Sequence, residues 1–181
     1  MDREAGLALV RERVKTANLL KHMLACEAVM RALARRLGED EERWGLAGLV
    51  HDVDYDETAN DPARHAEVGA RILEEAGAPA DVVHAVRAHN DKVPRESAMD
   101  RALWCTDPVT GFLVACALVR KEKALAAVDV PFALKRMKEK RFAAGASREA
   151  MAGCAELDLS LEEFLGLALG AMQAISSELG L

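Results

Sequence analysis

Residues 18–37, NLLKHMLACEAVMRALARRL, carry the reading that decides the fold. Leu19, Leu20, Met23, Leu24, Met30, Leu33 and Leu37 fall on one broad stripe at helical spacing, and Gly38 stands where a left-handed residue ends a helix. The same punctuation recurs outward from there. A shorter helix, 40–52, carries Trp44, Leu46, Leu49 and Val50 and runs into His51-Asp52 and the acidic loop DVDYDETAN. Asp61-Pro62 reads as cap and first-turn proline of a helix that Gly77 closes, and Pro79 opens the next, over 79–90. NDKVPRES is loop, and Ser97 caps a helix over 98–119 in which Asp107-Pro108 predicts a kink. Helices follow near 131–143, 147–156 and 161–179, the last behind a Ser160–Glu163 capping box. No alternating strand or repeat intervenes. The expectation is an all-α protein, with a helical bundle over 1–125 and C-terminal helices over 126–181 packed on the same domain.

Composition agrees. The 181 residues are 51% hydrophobic with 4% aromatics, and Ala, Leu and Val beside Glu, Arg and Lys suit packed helices better than sheets. A net charge of −6 provides no overall basic surface for phosphate neutralisation, which argues against a nucleic-acid polymer as partner. The basic run Lys135 to Arg141 reads as a solvated helix face. Cys26, Cys105, Cys116 and Cys154 are widely spaced and read as buried free thiols of a reducing compartment. The N-terminal MDREAGLALVRERVK lacks a signal-peptide pattern, and no apolar run reaches the ~18 residues of a membrane span. These features predict a cytoplasmic protein without a membrane partner, and they specify no oligomeric state.

The five histidines, His22, His51, His65, His84 and His89, are the chemical signal, together with Asp52 and Asp107. Imidazoles and carboxylates delivered from separate helices into one bundle are a ligand set for divalent ions that polarise water and phosphoryl oxygens. A carboxylate at a helix end, such as Asp52, leaves a coordination position open. His84 lies five residues before His89, about 140° round a helix, and is assigned to structure. Asp54 and Asp56 read as solvated loop acids. Lys21, Arg64, Arg87 and Lys92 read as exposed charges near the candidate ligands, and Trp44 and Trp104 as core. Catalysis by a cysteine or serine nucleophile finds no support, since no activating pattern, GxSxG or phosphate-cradling glycine loop occurs.

Over about residues 15–120 the chain resembles the HD superfamily of metal-dependent phosphohydrolases, in the branch labelled HDIG. The resemblance rests on His22 in LLKHMLACEAVM, His51-Asp52 in LAGLVHDVDY, His65 and Gly69 in HAEVGARIL, His89 in VVHAVRAHND, and Asp107 in ALWCTDPVTGFLVACALV. It implies that His22, His51, Asp52 and Asp107 hold a divalent ion (Mn, Zn, Ni, Co, Mg or Fe), with Asp52 the bridging carboxylate where there are two. It implies that His65 and His89 bind a second metal or act with Asp52 in catalysis as acid/base and hydrogen-bonding groups. Two departures are plain. Asp54 replaces the glycine of the HDIG tetrad, and His89-Asn90 stands where two-metal HD-GYP relatives carry paired histidines. No GYP motif follows, so cyclic-dinucleotide hydrolysis is not implied. The expected activity is phosphomonoester or phosphodiester hydrolysis of a small phosphorylated substrate, nucleotide-like molecules among the candidates. One tight metal is expected, with any second bound weakly through His65 and His89. Rival readings are an HD-type di-iron oxygenase and a non-catalytic ligand-binding signalling module.

Overall fold

Helix formation along this chain is governed by what caps each end, and the computed structural model, which describes residues 1–181, shows those caps. The order is α1 (Arg3–Arg13), α2 (Ala17–Leu37), α3 (Glu41–Val50), α4 (Tyr55–Thr58), α5 (Glu67–Glu75), α6 (Ala80–His89), α7 (Ala98–Leu118), α8 (Val130–Met137), α9 (Arg148–Ala152), α10 (Leu161–Ala174) and α11 (Ser176–Leu179), with no strand. The protein is all-α. Gly38 takes φ 75° and donates its N–H to Ala34 O, ending α2 as the sequence predicts. At the other end of α2, Thr16 does not cap with its own side chain. Asp56 reaches back instead and accepts from Lys15 N at 2.7 Å, Thr16 N at 2.9 Å and Thr16 Oγ1 at 2.7 Å.

The other long helix, α7, starts on a full capping box between Ser97 and Asp100. His84 Nδ1 sits 3.0 Å from the buried Asp100 carboxylate, so this histidine ties α6 to the start of α7. Pro108 does not break α7, which runs on as one element to Leu118. Helices α2 and α3 pack so closely that a Cβ on Gly48 would lie 2.6 Å from Cys26 O. That contact lowers the end of α3, with His51-Asp52, onto the middle of α2.

Several boundaries differ from the sequence reading. The helix expected from Asp61 begins at Glu67, behind a turn in which Ala66 takes φ 69°. His65 therefore lies in a turn, not on a helix. The helix expected over 131–143 stops at Met137. Past its end the Arg148 guanidinium donates to the carbonyls of Phe142 at 2.5 Å and of Ala143 and Ala146 at 2.8 Å, which ties down the turns that follow. The 147–156 segment is α-helical only to Ala152 and tightens into a 3₁₀ turn to Leu157. Ser160 caps Glu163 N at 3.1 Å, but the Glu163 carboxylate pairs with Arg36 at 2.7 Å instead of closing the box. The expected 161–179 helix divides at Ile175. The N-terminal helix α1, with only Gly6 and Val10 buried, has too thin an apolar stripe to read in advance.

Phe164, Leu165, Leu169 and Met172 of α10 join Met23, Met30 and Leu33 of α2 and Phe112 and Leu113 of α7 in one core. The C-terminal helices are thus continuous with the bundle. No helix is long and apolar enough to cross a membrane.

The α2–α3 approach makes a stability prediction. Gly48→Ala should destabilise the protein by about 3 kcal/mol, because the clashing atoms are backbone and cannot swing away. Gly170→Ala, on an exposed helical position with nothing within 4 Å, should stabilise by about 0.5–1 kcal/mol. Urea unfolding of the two variants checks both signs.

Candidate metal centre

Five elements bring six side chains to one point. α2 supplies His22, the end of α3 supplies His51 and Asp52, the turn before α5 supplies His65, the last residue of α6 supplies His89, and α7 supplies Asp107. The Asp52 carboxylate is at the centre. Its Oδ2 faces His51 Nε2 at 3.5 Å and His22 Nε2 at 3.7 Å. Its Oδ1 faces His65 Nε2 at 3.3 Å and His89 Nε2 at 3.7 Å. Asp107 Oδ1 completes the first pair, 3.2 Å from His22 Nε2 and 3.9 Å from His51 Nε2. All six residues singled out by the sequence pattern are therefore together.

The far side of each ring decides what the near side presents. His51 Nδ1 lies 2.9 Å from Gly48 O and His89 Nδ1 lies 2.5 Å from Val86 O. A carbonyl only accepts, so both Nδ1 atoms carry the proton. His65 Nδ1 lies 3.0 Å from the Asp54 carboxylate, with the same consequence. Thr110 Oγ1 donates to Asp107 O at 3.1 Å, which leaves its lone pair for His22 Nδ1–H at 2.8 Å. Each imidazole thus turns the lone pair of Nε2 toward Asp52, the orientation that partners behind a ligand enforce. His22 Nε2 and His51 Nε2 stand 3.2 Å apart. Whatever lies between those two lone pairs and the carboxylates has to be positive, a proton or a metal cation.

The electrostatics run the same way. Burial, opposed by Asp52, pushes the His51 imidazole down to about 4, so it is neutral near pH 7. Burial works against ionisation of Asp52, yet His51, His89 and His22 hold its carboxyl well below the usual range. Burial also opposes ionisation of Asp107, but the hydrogen bond to His22 and the charges of His51 and His22 together lower it. Burial opposes protonation of His22 and His89, but Cys26 and Asp107 raise the first and Asp52 raises the second. The carboxylates draw positive charge inward. The donor set, imidazole nitrogen and carboxylate oxygen in their ligating forms, fits a borderline or hard divalent ion. Cys26 Sγ also lies 3.8 Å from both His22 nitrogens and groups with His22 and His51 as a possible ligand cluster, a neighbour that the sequence reading treated only as buried core.

Two acidic residues need correction. Asp54, read as solvated, is buried, and its carboxylate accepts from His65 Nδ1 at 3.0 Å, Ala66 N at 3.0 Å and Gly69 N at 2.8 Å. Asp56 ties the start of α2, as described. The only sequence signal for Asp54 was the glycine four residues after His65. A Cβ there would sit 3.2 Å from the Asp54 carboxylate. The cationic candidates are mostly turned away. Arg64 pairs with Glu57, Arg87 with Glu67 and Glu74, and Lys92 with Pro62 O. Lys21 borders a cleft of about 370 Å³ beside His22 and Thr110. Two more clefts meet at Asp107, one of about 420 Å³ beside His22 and one of about 380 Å³ beside His89, Arg95 and Trp104. Trp44 is core as expected, whereas Trp104 is half-buried and lines the latter cleft.

Comparison with known proteins agrees with this geometry. A family model described as HD domain matches residues 19–131. Over 94 residues the chain is 32% identical to Ribonuclease Y of Oleidesulfovibrio alaskensis and 31% identical to Ribonuclease Y of Nitratidesulfovibrio vulgaris. Each alignment covers 52% of this chain and 18% of the relative. Ribonuclease Y of Lactobacillus gasseri is 29% identical over 93 residues, 51% of this chain and 17% of the relative. The alignments therefore span less than a fifth of these relatives. No solved structure matches the chain. These matches support a hydrolase domain of a metal-binding type.

The buried role of Asp54 is testable. Asp54→Ala leaves the amides of Ala66 and Gly69 without an acceptor and should cost on the order of 2–4 kcal/mol. Asp56→Ala, at an exposed cap, should cost about 1 kcal/mol. Equal small losses in urea unfolding would return Asp54 to the solvated reading.

Proposed function

Because the chain belongs to the HD domain family, we propose that it is a metal-dependent phosphohydrolase that attacks a small phosphorylated, nucleotide-like substrate with water. The observation that carries this reading is the convergence of four Nε2 lone pairs on one buried carboxylate. A divalent cation in such a cluster polarises water and the phosphoryl oxygens and takes up developing charge.

The residues divide the work. His22, His51, Asp52 and Asp107 form the tight site, two imidazoles with two carboxylates. His65 and His89 share only the second oxygen of Asp52 and form the weaker one, since fewer charges hold it. The Asp54 carboxylate behind His65 fixes its ring and its tautomer. Gly48 O and Val86 O do the same for His51 and His89 from within their own helices. Asp52 is nearly enclosed, while the Asp107 side chain is 41% exposed, so substrate enters on the Asp107 side. The clefts that meet there are of nucleotide size.

A second reading has its own support. The relatives are named Ribonuclease Y, and Lys135, Lys138, Lys140 and Arg141 are exposed on the segment that leads to the cleft residues Ala143 and Gly145. The ion pair within that tract is Arg136–Glu139. This reading makes the substrate a phosphodiester of RNA. Assaying AMP, bis(4-nitrophenyl) phosphate and a short single-stranded RNA side by side separates the two. Turnover of the RNA alone, falling steeply with salt, replaces the small-substrate reading. Bound iron with a mixed-valent signal and no phosphoester turnover overturns both.

His51→Ala or Asp52→Ala should abolish metal retention and lower turnover by more than about 100-fold, with helicity preserved by circular dichroism. Elemental analysis of the purified variants reads the metal directly. His65→Ala should lower turnover about tenfold or more while tight-metal occupancy stays near that of the parent. Two tightly held ions per chain, one lost in His89→Ala, would show both sites to be strong.

A further inference from the structure

The chemistry above leaves Arg95, a cation beside the centre, without a task. The cleft of about 380 Å³ that contains His89 and Asp107 is also lined by Arg95 and Trp104, and Arg95 is the one Lys or Arg along it. The Arg95 guanidinium lies 3.8 Å above the centroid of the Trp104 ring. Stacking fixes the plane of the guanidinium and leaves its N–H edge free, since the ring engages the face and not the donors. One partner occupies part of that edge. Asp91 pairs with Nη1, but its side chain is 68% exposed, against 25% for Arg95. A pair so open to water is worth about 1 kcal/mol or less, so an incoming anion can replace it at little cost.

We propose that Arg95, stacked on Trp104, is the subsite for a second phosphate of the substrate, and that Asp91 is the counter-ion which that phosphate displaces. The proposal rests on the phosphohydrolase reading for placing the first phosphate at the metal centre. It deepens that reading by naming the substrate class, a molecule with two phosphate groups. A nucleoside bisphosphate and two successive phosphates of a strand share this chemistry. The guanidinium fork matches phosphate geometry in a way a lysine would not.

The test uses ligands that cannot be hydrolysed and do not absorb near 290 nm. Propane-1,3-bisphosphonate and propylphosphonate are titrated against the Zn²⁺-loaded protein, with the change in tryptophan emission, Trp104 against the buried Trp44 background, as the signal and bound metal measured afterwards. A charge-assisted bidentate contact is worth about one to two decades of affinity, so the parent should prefer the bisphosphonate by about tenfold or more. In Arg95→Gln the preference should fall below about twofold, with helicity and metal content unchanged. In Asp91→Asn it should persist or widen, because the competing carboxylate has gone. A preference retained in Arg95→Gln, lost equally in Asp91→Asn, or absent from the parent overturns the proposal. Displacement by adenosine 3′,5′-bisphosphate, compared with a single-stranded hexanucleotide at equal phosphate, separates the free molecule from the strand. An Arg95-dependent preference in a protein that turns over no phosphoester keeps the subsite and removes the phosphohydrolase reading. Turnover without the preference does the reverse.

Discussion

A carboxylate enclosed by four imidazoles is the constraint around which this bundle is organised. Asp52 is almost wholly buried, and ionised carboxylates are costly to bury unless positive charge or donors meet both oxygens. Here each oxygen meets the lone-pair side of two rings, so donors alone do not satisfy it. The requirement for a cation is therefore built into the tautomers. Two of those tautomers are set locally, by carbonyls three residues back in the same helix. The other two are set across the fold, by Thr110 on α7 and Asp54 beyond α3. The local anchors hold as long as α3 and α6 are helical. The distant ones report that the whole bundle has assembled.

This division explains what the sequence disclosed. Candidate ligands recur as residue types at spacings, and the cluster of His22, His51-Asp52, His65, His89 and Asp107 was legible on that basis. The groups behind them were not, because they act through the backbone. Asp54 sits in an acidic loop that reads as solvated, and its partners include the amides of Ala66 and Gly69, which have no side-chain signature. Arg148 is similar. It gathers the carbonyls of Phe142, Ala143 and Ala146 in turns where periodicity alone extends a helix to residue 143. The Ser160 box is half formed because Arg36, far away in sequence, claims Glu163. The cations show the same lesson. Arg64 and Arg87 adjoin candidate ligands in sequence yet answer to local glutamates, while Arg95, in a stretch read only as loop, faces the cleft.

The charge of the centre orders its loading. Asp52 and Asp107 bring two negative charges, and the four imidazoles, fixed as ligands, bring none. Asp54 adds a third carboxylate, but its charge is spent on His65 Nδ1–H and two backbone amides and contributes little toward Nε2. One divalent cation therefore neutralises the cluster. A second raises it to a net charge of about +2 in a largely buried site, which is unfavourable until an anion arrives. On the proposed phosphohydrolase reading, a substrate phosphate would supply that anion from the Asp107 side, where the centre is open. Tight binding of one ion and substrate-assisted binding of the next would then follow from the charge count, in the same direction as the smaller number of charges on the His65–His89 side. Such a centre would hold its full charge only with a phosphate to act on.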